Sequence, residues 1–523
     1  MRNILLVLSF LILSFHFTQS QSFSWLDTVV VDYEYNPGMI QYNTCANPQG
    51  GCYFYGIQEH ISFYNESMGV LFLKKYSQDG TENWSRLIGG ESEIKGMICA
   101  DNGDVFISGQ ILADADFWGE DSLVKTGIGT DGFLARVNTN GDLNWCINLT
   151  GLSVGEGTVS ELALHNNLLY VAYSNWMNTY VLIFTEDGEY VNSIIQEDVS
   201  IISGLDFDQE GNLFTTGGCA GWQASFGGVS YPAPFSYTTY LVKYNSSFEP
   251  EWVKYIEDIT CTFPQVKVDE DGWAYFAGQL WDETLFDTIV ANGPEWAYDF
   301  FLARISPDGQ FQWVRECPEV LTGDASIGNR HFLDMDMDGN VLMAGFTRGL
   351  VDWGNGVVSD VTDNYQDLII WNFAPDGQVN WIKTAGGEGY ELSHSVSAGS
   401  DGSAYLAGVV SGVVEFDTIT FETTGLVDPF VAKLNLDILS GVTPILSGNE
   451  MIVYPNPATD RIYLDGIKAA TIFKLFNING QLVYTGTISA SENYISLQGF
   501  PGGNYLLNLD SRGERNSFQI IIE

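Results

Sequence analysis

Asp334, Asp336 and Asp338 stand at alternate positions ahead of Gly339 and Asn340, and oxygen ligands in that pattern open a calcium loop. A complete loop of that kind ends in a bidentate glutamate at its twelfth position, which here is Gly345. Related stretches of the chain read DFDQEG and VDEDG at the same place, so a solvated turn is the favoured reading and calcium the alternative. His331 and His394 lie at the same interval before turn glycines Gly339 and Gly402, which could bring both to one mouth of a channel. Two histidines fall short of the three or four ligands of a metal site. No G-x-S-x-G, H-E-x-x-H or phosphate-binding loop occurs. With 66 acidic residues some carboxylates will always lie close, so no glycosidase pair can be read off. No catalytic residue and no cofactor is assigned. Trp118, Trp222, Trp281 and Trp353, in segments that connect more regular stretches, are the better sugar-stacking candidates.

Seven cysteines follow the first twenty residues: Cys45, Cys52, Cys99, Cys146, Cys219, Cys261 and Cys317. No C-x-x-C pair exists, which argues against a zinc ribbon or a thioredoxin-type site. Cys45 and Cys52 flank ANPQGG, and a bridge closing that loop is the first expectation. The net charge of −45 repels phosphate backbones, and no basic cluster offsets it, so a nucleic-acid partner is not expected. Residues 1–20 combine Arg2, an apolar stretch from Ile4 to Phe15 and small residues at a cleavage site before Gln21. That pattern is a secretory signal peptide.

The elements that must position any site are repeats. FLKKYSQDGTENW, FLARVNTNGDLNW, VLIFTEDGEYVN, YLVKYNSSFEPEW, FLARISPDGQFQW and LIIWNFAPDGQVNW end at Trp84, Trp145, Asn192, Trp252, Trp313 and Trp381. Recurrence at about sixty residues marks an array of similar units. Between these segments lies a second hairpin pattern, such as ICADNGDVFISGQ and VKVDEDGWAYFAGQ, with D-G, N-G or E-G between alternating runs. Two hairpins give four strands, one propeller blade. The tryptophans then belong to the blade cores.

The strand before the turn occurs a seventh time as FVAKLNLD, from Phe430 to Asp437, with no tryptophan strand after it. FSWLDTVV, around Trp25, is a tryptophan strand with nothing before it. Each orphan completes the other, and a propeller has no open edge when they pair. The expected fold is therefore all-β: a seven-bladed β-propeller over residues 21–440, closed by the N-terminal strand. A linker at 441–450 leads to a small β-sandwich at 451–523.

That last segment reads VYPNPATDRIYLD, FKLFNINGQLVYTG and ISLQGFPGGNYLLNL. It resembles the type A C-terminal sorting domain of the Bacteroidota type IX secretion system, through Tyr454, Pro455, Asn456, Pro457, Asp460, Asn479, Gly480, Gln481, Gly503, Asn504 and Tyr505. It departs from that pattern in ending IIIE rather than on a basic residue. The resemblance implies export through the periplasm by the type IX machinery, cleavage of the tail, and release or attachment to surface lipopolysaccharide. The body is similar to bacterial propeller repeats found in such cargo. Asp27-Thr28-Val29, Asp121-Ser122-Leu123, Asp287-Thr288-Ile289 and Asp417-Thr418-Ile419 resemble the O-glycosylation acceptor pattern of this bacterial group. The function expected is a non-catalytic surface or secreted module binding a carbohydrate or protein ligand. The alternatives are an extracellular hydrolase or lyase acting on polysaccharide or peptide at a channel mouth, and a structural surface-layer component.

Overall fold

The computed structural model describes residues 21–31, 42–60, 69–152, 154–175, 177–218, 220–235, 238–257, 263–280, 283–293, 299–318, 323–361 and 365–436. In the tail it describes 452–454, 458–459, 461–465, 471–477, 482–489, 493–511 and 514–522. The chain divides into a unit from Ser20 to Asp437 and a C-terminal unit from Ile438. Both are all-β; apart from strands, the described residues form one 3-10 turn, Leu149–Gly151.

Within the larger unit most described strands lie in seven antiparallel groups of four, with short hairpins such as Thr284–Phe286 and Ile289–Ala291 outside them and one inner strand in two pieces. One group runs Gln265–Val268, Ala274–Leu280, Asp299–Ile305, Phe311–Glu316, each strand beside the next. The local chemistry explains the hairpins. Asp269 accepts the N–H groups of Asp271 and Trp273, and Gly272 takes the left-handed φ of 79° that closes the turn. The second and third strands are buried on both faces, so they are apolar runs such as Ala274–Leu280 and Asp299–Ile305.

The seven innermost strands are Asn43–Ala46, the distal part of Glu82–Cys99, Gly157–His165, Gly204–Phe207, Gln265–Val268, the pair Asp324–Ile327 and Leu333–Met335, and Leu392–Ala398. Neighbours in this order adjoin, and so do the last and the first. At that last seam Thr44 N donates to Ser395 Oγ (3.2 Å) and Ala46 N to Ser397 Oγ (2.9 Å). The strand Ser22–Thr28 lies on the outer edge of the last sheet, with Trp25 opposite Lys433 and Thr28 opposite Phe430. Its Phe23 is buried against Phe416, ring centroids 4.9 Å apart. The pairing of orphan strands expected from the repeat count is therefore present.

The repeat tryptophans sit elsewhere than in the blade cores expected for them. Trp25, Trp84, Trp145, Trp252, Trp313 and Trp381 are half-buried on the outer strands, packed against the cores. Five indole N–H groups reach the next four-stranded group, donating to Gln78 O, Thr139 O, Glu186 O, Pro307 O and Pro375 O at 3.0–3.2 Å. Each ring covers a turn glycine: a Cβ on Gly141 would come within 2.8 Å of Trp84. Asn192 breaks the series, and the turn it faces, Asn245–Glu249, carries Phe248 at φ 62° where the others have glycine. Phe248 packs edge-on against Tyr170 (6.1 Å), so at this seam the turn supplies the aromatic ring that the outer strand lacks.

An aspartate opens the third strand in several groups, and its surroundings split its behaviour. Burial would push Asp131 up, but the Asn148 amide, the Thr126 N–H and hydroxyl and Lys125 outweigh it and hold the carboxyl at about 2. Among the described residues Asp299 accepts the N–H groups of Cys317 and Phe300, and burial pushes it up to about 7. Asp367 is likewise raised by burial, to about 6. A carboxyl raised in the folded state binds protons that the unfolded chain has released, so it lowers stability as pH rises from about 4 to 7. For Asp299 the shift from 3.8 to about 7 corresponds to about 4 kcal/mol. Asp299→Asn should remove that share of the pH dependence, raising the urea midpoint at pH 8 but not at pH 4. Equal slopes for the two proteins would refute this.

The tail holds two sheets around one core. Ile452–Tyr454, Arg461–Asp465 and Tyr494–Ser496 form one, and Leu482–Ile488, Thr471–Asn477, Gly503–Ser511 and Glu514–Ile522 the other. Ile462, Leu464, Phe473, Leu475, Leu507 and Ile520 fill the space between them. Tyr505 is buried and its hydroxyl donates to Pro501 O (2.9 Å), Gly503 begins its strand, and Tyr454 pairs with Tyr463. Pro455, Asn456, Pro457, Asp460, Asn479, Gly480 and Gln481 lie outside the described residues, as do the segments expected as signal peptide and linker. No helix among the described residues is long and apolar enough to cross a membrane.

Candidate functional site

Residues 328–332 interrupt the inner strand of the sixth group. Ile327 pairs with Gly345 and Leu333 with Met343, so this segment stands opposite the single residue Ala344. It projects across the space between the groups. Arg330 Nη1 donates to Ser160 O in the third group (2.8 Å), and its guanidinium lies 4.1 Å from the ring of Phe263. His331, at φ 51°, places Nε2 3.1 Å from Lys95 O in the second group. A carbonyl only accepts, so Nε2 carries the proton and Nδ1 faces Glu161 Oε2, 3.7 Å away.

Charges cluster at this crossing. Glu93 pairs with Lys95 and accepts from Gln110 Nε2 at 2.8 Å. Glu93, Glu161 and Arg330 are all buried. Burial pulls both Lys95 and Arg330 down, and the neighbouring Glu93 opposes it in each case. A cation so desolvated needs its acids close.

On one side of the crossing lies a cavity of about 340 Å³. It is lined by the ends of inner strands, including Cys45, Cys99, Glu161, Asp206, Lys267 and His331. Lys267 Nζ lies 3.2 Å from Asp334 Oδ1, and that carboxylate, with Asp206 beyond it, raises the lysine against the effect of burial. Asp206 is pushed up by burial, against Lys267 and the Val268 N–H, which it accepts at 2.7 Å. At the rim His165 stacks on Phe207, centroids 4.4 Å apart.

The three aspartates read as a loop opening do different things. Asp334 faces Lys267 and accepts Ala398 N (2.8 Å). Asp336 accepts from Asp338 N, Asn340 N and Nδ2, and Asn372 Nδ2. Asp208 and Asp269 make matching turn bonds in sister hairpins, and Asp338 is exposed. Asp336 is thus a turn cap with its lone pairs committed, and no grouping of three metal-binding side chains occurs among the described residues. His331 and His394 do not converge either. His394 is fully buried, accepts Tyr42 N at Nδ1 (3.2 Å), and is pulled down to about 3 by burial.

Of the sugar-stacking candidates, Trp222 is 59% exposed and Trp118 is half-buried. Trp353 is buried, donating to Ser359 Oγ (3.0 Å) and packing on Trp371, so it cannot serve; Trp281 lies outside the described residues. Ser122, Thr288 and Thr418 are exposed on small outer hairpins, whereas Thr28 is half-buried in the N-terminal strand. The loop-closing bridge fails on strand geometry. Cys45 stands opposite Tyr53, so Cys45 and Cys52 point to opposite faces of the hairpin. Both are free.

Lys95, Glu161, Lys267 and Arg330 were not singled out in the sequence. Lys95, Glu161 and Lys267 did leave a signal, each a charged residue inside an inner strand, whereas Arg330 lies in the segment that interrupts one.

Residues 452–523 match a family described as a secretion system C-terminal sorting domain. The tail is thus that of a protein handled by the type IX machinery and exported to the cell surface or beyond. No curated protein matches the chain. Similar solved structures include polysaccharide lyase Uly1, at 10% identity over 82% of this chain and 94% of that one, TM-score 0.37. They also include a Trypanosoma rangeli sialidase at 10% identity, covering 96% and 89%, TM-score 0.33. A protein of unknown function from Bacteroides caccae shows 13% identity over 54% and 84%, TM-score 0.32. At such scores these likenesses carry no weight for function.

Proposed function

We propose that this chain is an exported seven-bladed β-propeller that binds a small polar ligand in the cavity among its inner strands. Seven groups of four strands, adjoining in cyclic order, and the N-terminal strand on the last sheet support the propeller reading. The observation that carries the binding reading is the charge pairing around the cavity. Lys267, held by Asp334, lines it together with Glu161, Asp206 and His331, so charged and polar groups converge on it. About 340 Å³ suits a mono- or disaccharide, and the flat Phe207–His165 stack at the rim suits a sugar ring.

Thermal-shift and calorimetric titration of the purified protein against mono- and disaccharides tests this. Glu161→Gln, which keeps the shape of the side chain, should weaken the best ligand by about tenfold, the worth of one charge-assisted hydrogen bond. Absence of any hit, or equal affinity in the variant, would sink the proposal.

A catalytic reading rests on one feature, Glu161 facing His331 with Asp206 held towards its neutral form nearby. It requires polysaccharide turnover that Glu161→Gln abolishes. Export has its own test. Without residues 452–523 the protein should accumulate in the periplasm, and its undiminished appearance in the medium would refute the role of the tail.

A further inference from the structure

Cys45 is next to last in the inner strand of the first group and Cys99 ends that of the second, and their sulfurs lie 3.2 Å apart across the seam. That is closer than two unbonded sulfurs normally approach and about 1.2 Å from bonding distance, a gap that small side-chain rotations close. Cys45 also makes a weak hydrogen bond to Ala46 O at 3.6 Å. The remaining described cysteines are placed differently. Cys52 points to the other face of its hairpin, Cys146 faces Asp121 Oδ2 at 3.6 Å, and the Cys317 thiol is raised by burial beside Asp299.

We propose that Cys45 and Cys99 form a disulfide in the exported protein, covalently joining the first two groups at the wall of the cavity. The oxidant is an external disulfide, available on an export route that favours such bonds. The Cys45 thiolate attacks it, forming a mixed disulfide and releasing one thiolate. Cys99 then loses its proton to solvent and attacks the Cys45 sulfur, releasing the second. Two electrons pass to the donor, which leaves as two thiols, and two protons are set free to protonate them. Both side chains line the cavity, so the donor has a path to them after folding. Burial pushes the Cys99 thiol up, which assigns the first attack to Cys45.

The bridge encloses the strands of the first group. That group also forms the seam with the last one, where side-chain hydrogen bonds such as those from Thr44 and Ala46 are its ties. Cross-linking its other side limits how far it can swing out when that seam opens.

The test uses the full chain, equilibrated in a mixture of oxidised and reduced glutathione, then alkylated under denaturing conditions without reductant, digested and weighed. The expected result is a linked pair of peptides containing Cys45 and Cys99, lighter by two hydrogens than the reduced pair. Reductant should lower the melting midpoint by about 5 °C. Cys45→Ser and Cys99→Ser should melt at the reduced value and ignore reductant, while Cys52→Ser keeps the response. Full alkylation of both residues, or a bridge from Cys45 to Cys52, would overturn the proposal. Because the oxidant is added, neither outcome depends on whether the cavity binds a sugar.

Discussion

Deleting residues 22–28 should leave the larger unit without a cooperative thermal transition and prone to associate at low concentration. The deletion takes away Phe23, buried between Phe416 and the last sheet, and Trp25, whose indole caps the turn at Gly80. Each large side chain so lost is worth about 2–3 kcal/mol of apolar burial, so the pair alone is comparable with the net stability of many domains. The deletion also uncovers the edge of Asp428–Asn435, a strand otherwise buried and apolar, which is the kind of edge that recruits a second chain. A peptide spanning residues 21–31 added in trans should restore a transition by strand addition. The same peptide carrying Trp25→Ala should do so less well. A deletion variant melting within about 2 °C of its parent would mean the strand contributes under 1 kcal/mol, and closure by it would be wrong.

Much of this was legible because the strand pattern is local. D-G and N-G turns need left-handed glycine, and a half-buried outer strand alternates, so hairpins and their number could be counted from residues alone. The orphan strands at Trp25 and Phe430 followed from that count, and they do share a sheet. What pointed where was less legible. The recurring tryptophans look like core because they are large and periodic, yet they lie half-buried against neighbouring turns, contacts made 41 to 62 residues away. Cys45 and Cys52 looked bridged because they flank a loop, although one register position separates the faces they occupy. The site was least legible. Arg330 matters because residues 328–332 leave the strand and cross to the second and third groups, and no local pattern encodes what stands opposite.

Arg330→Met should be the most damaging single substitution at the channel, costing about 3–5 kcal/mol in urea unfolding. The methionine fills most of the volume, so the loss reports charge rather than a cavity. Glu93 keeps Lys95, but both it and Glu161 stay buried without the guanidinium that stood beside them. Arg330→Lys should recover part of the loss, since a lysine supplies charge but cannot both reach Ser160 O and lie flat on Phe263. Combining Arg330→Met with Glu161→Gln should be milder than the sum of the two, because the second change removes an acid the first has orphaned. Strict additivity, or a cost below about 1 kcal/mol for Arg330→Met, would show that the crossing is held by its backbone and not by its ions.

The exchange at Asn192 and Phe248 bears on how such a chain could be rebuilt. At five seams one group contributes the ring and the next a turn with room for it; at this seam the second group contributes the ring. A graft cut at the inner strands would therefore carry half of each lock. Placing the outer strand of Trp145 ahead of the turn of Phe248 would set two rings in one slot, and the reverse graft would leave a slot empty. The portable cassette starts at an outer strand and ends before the next one, out of phase with the visible sheet by one strand. The strand Ser22–Thr28, an outer strand paired with Asp428–Asn435, fits that same phase.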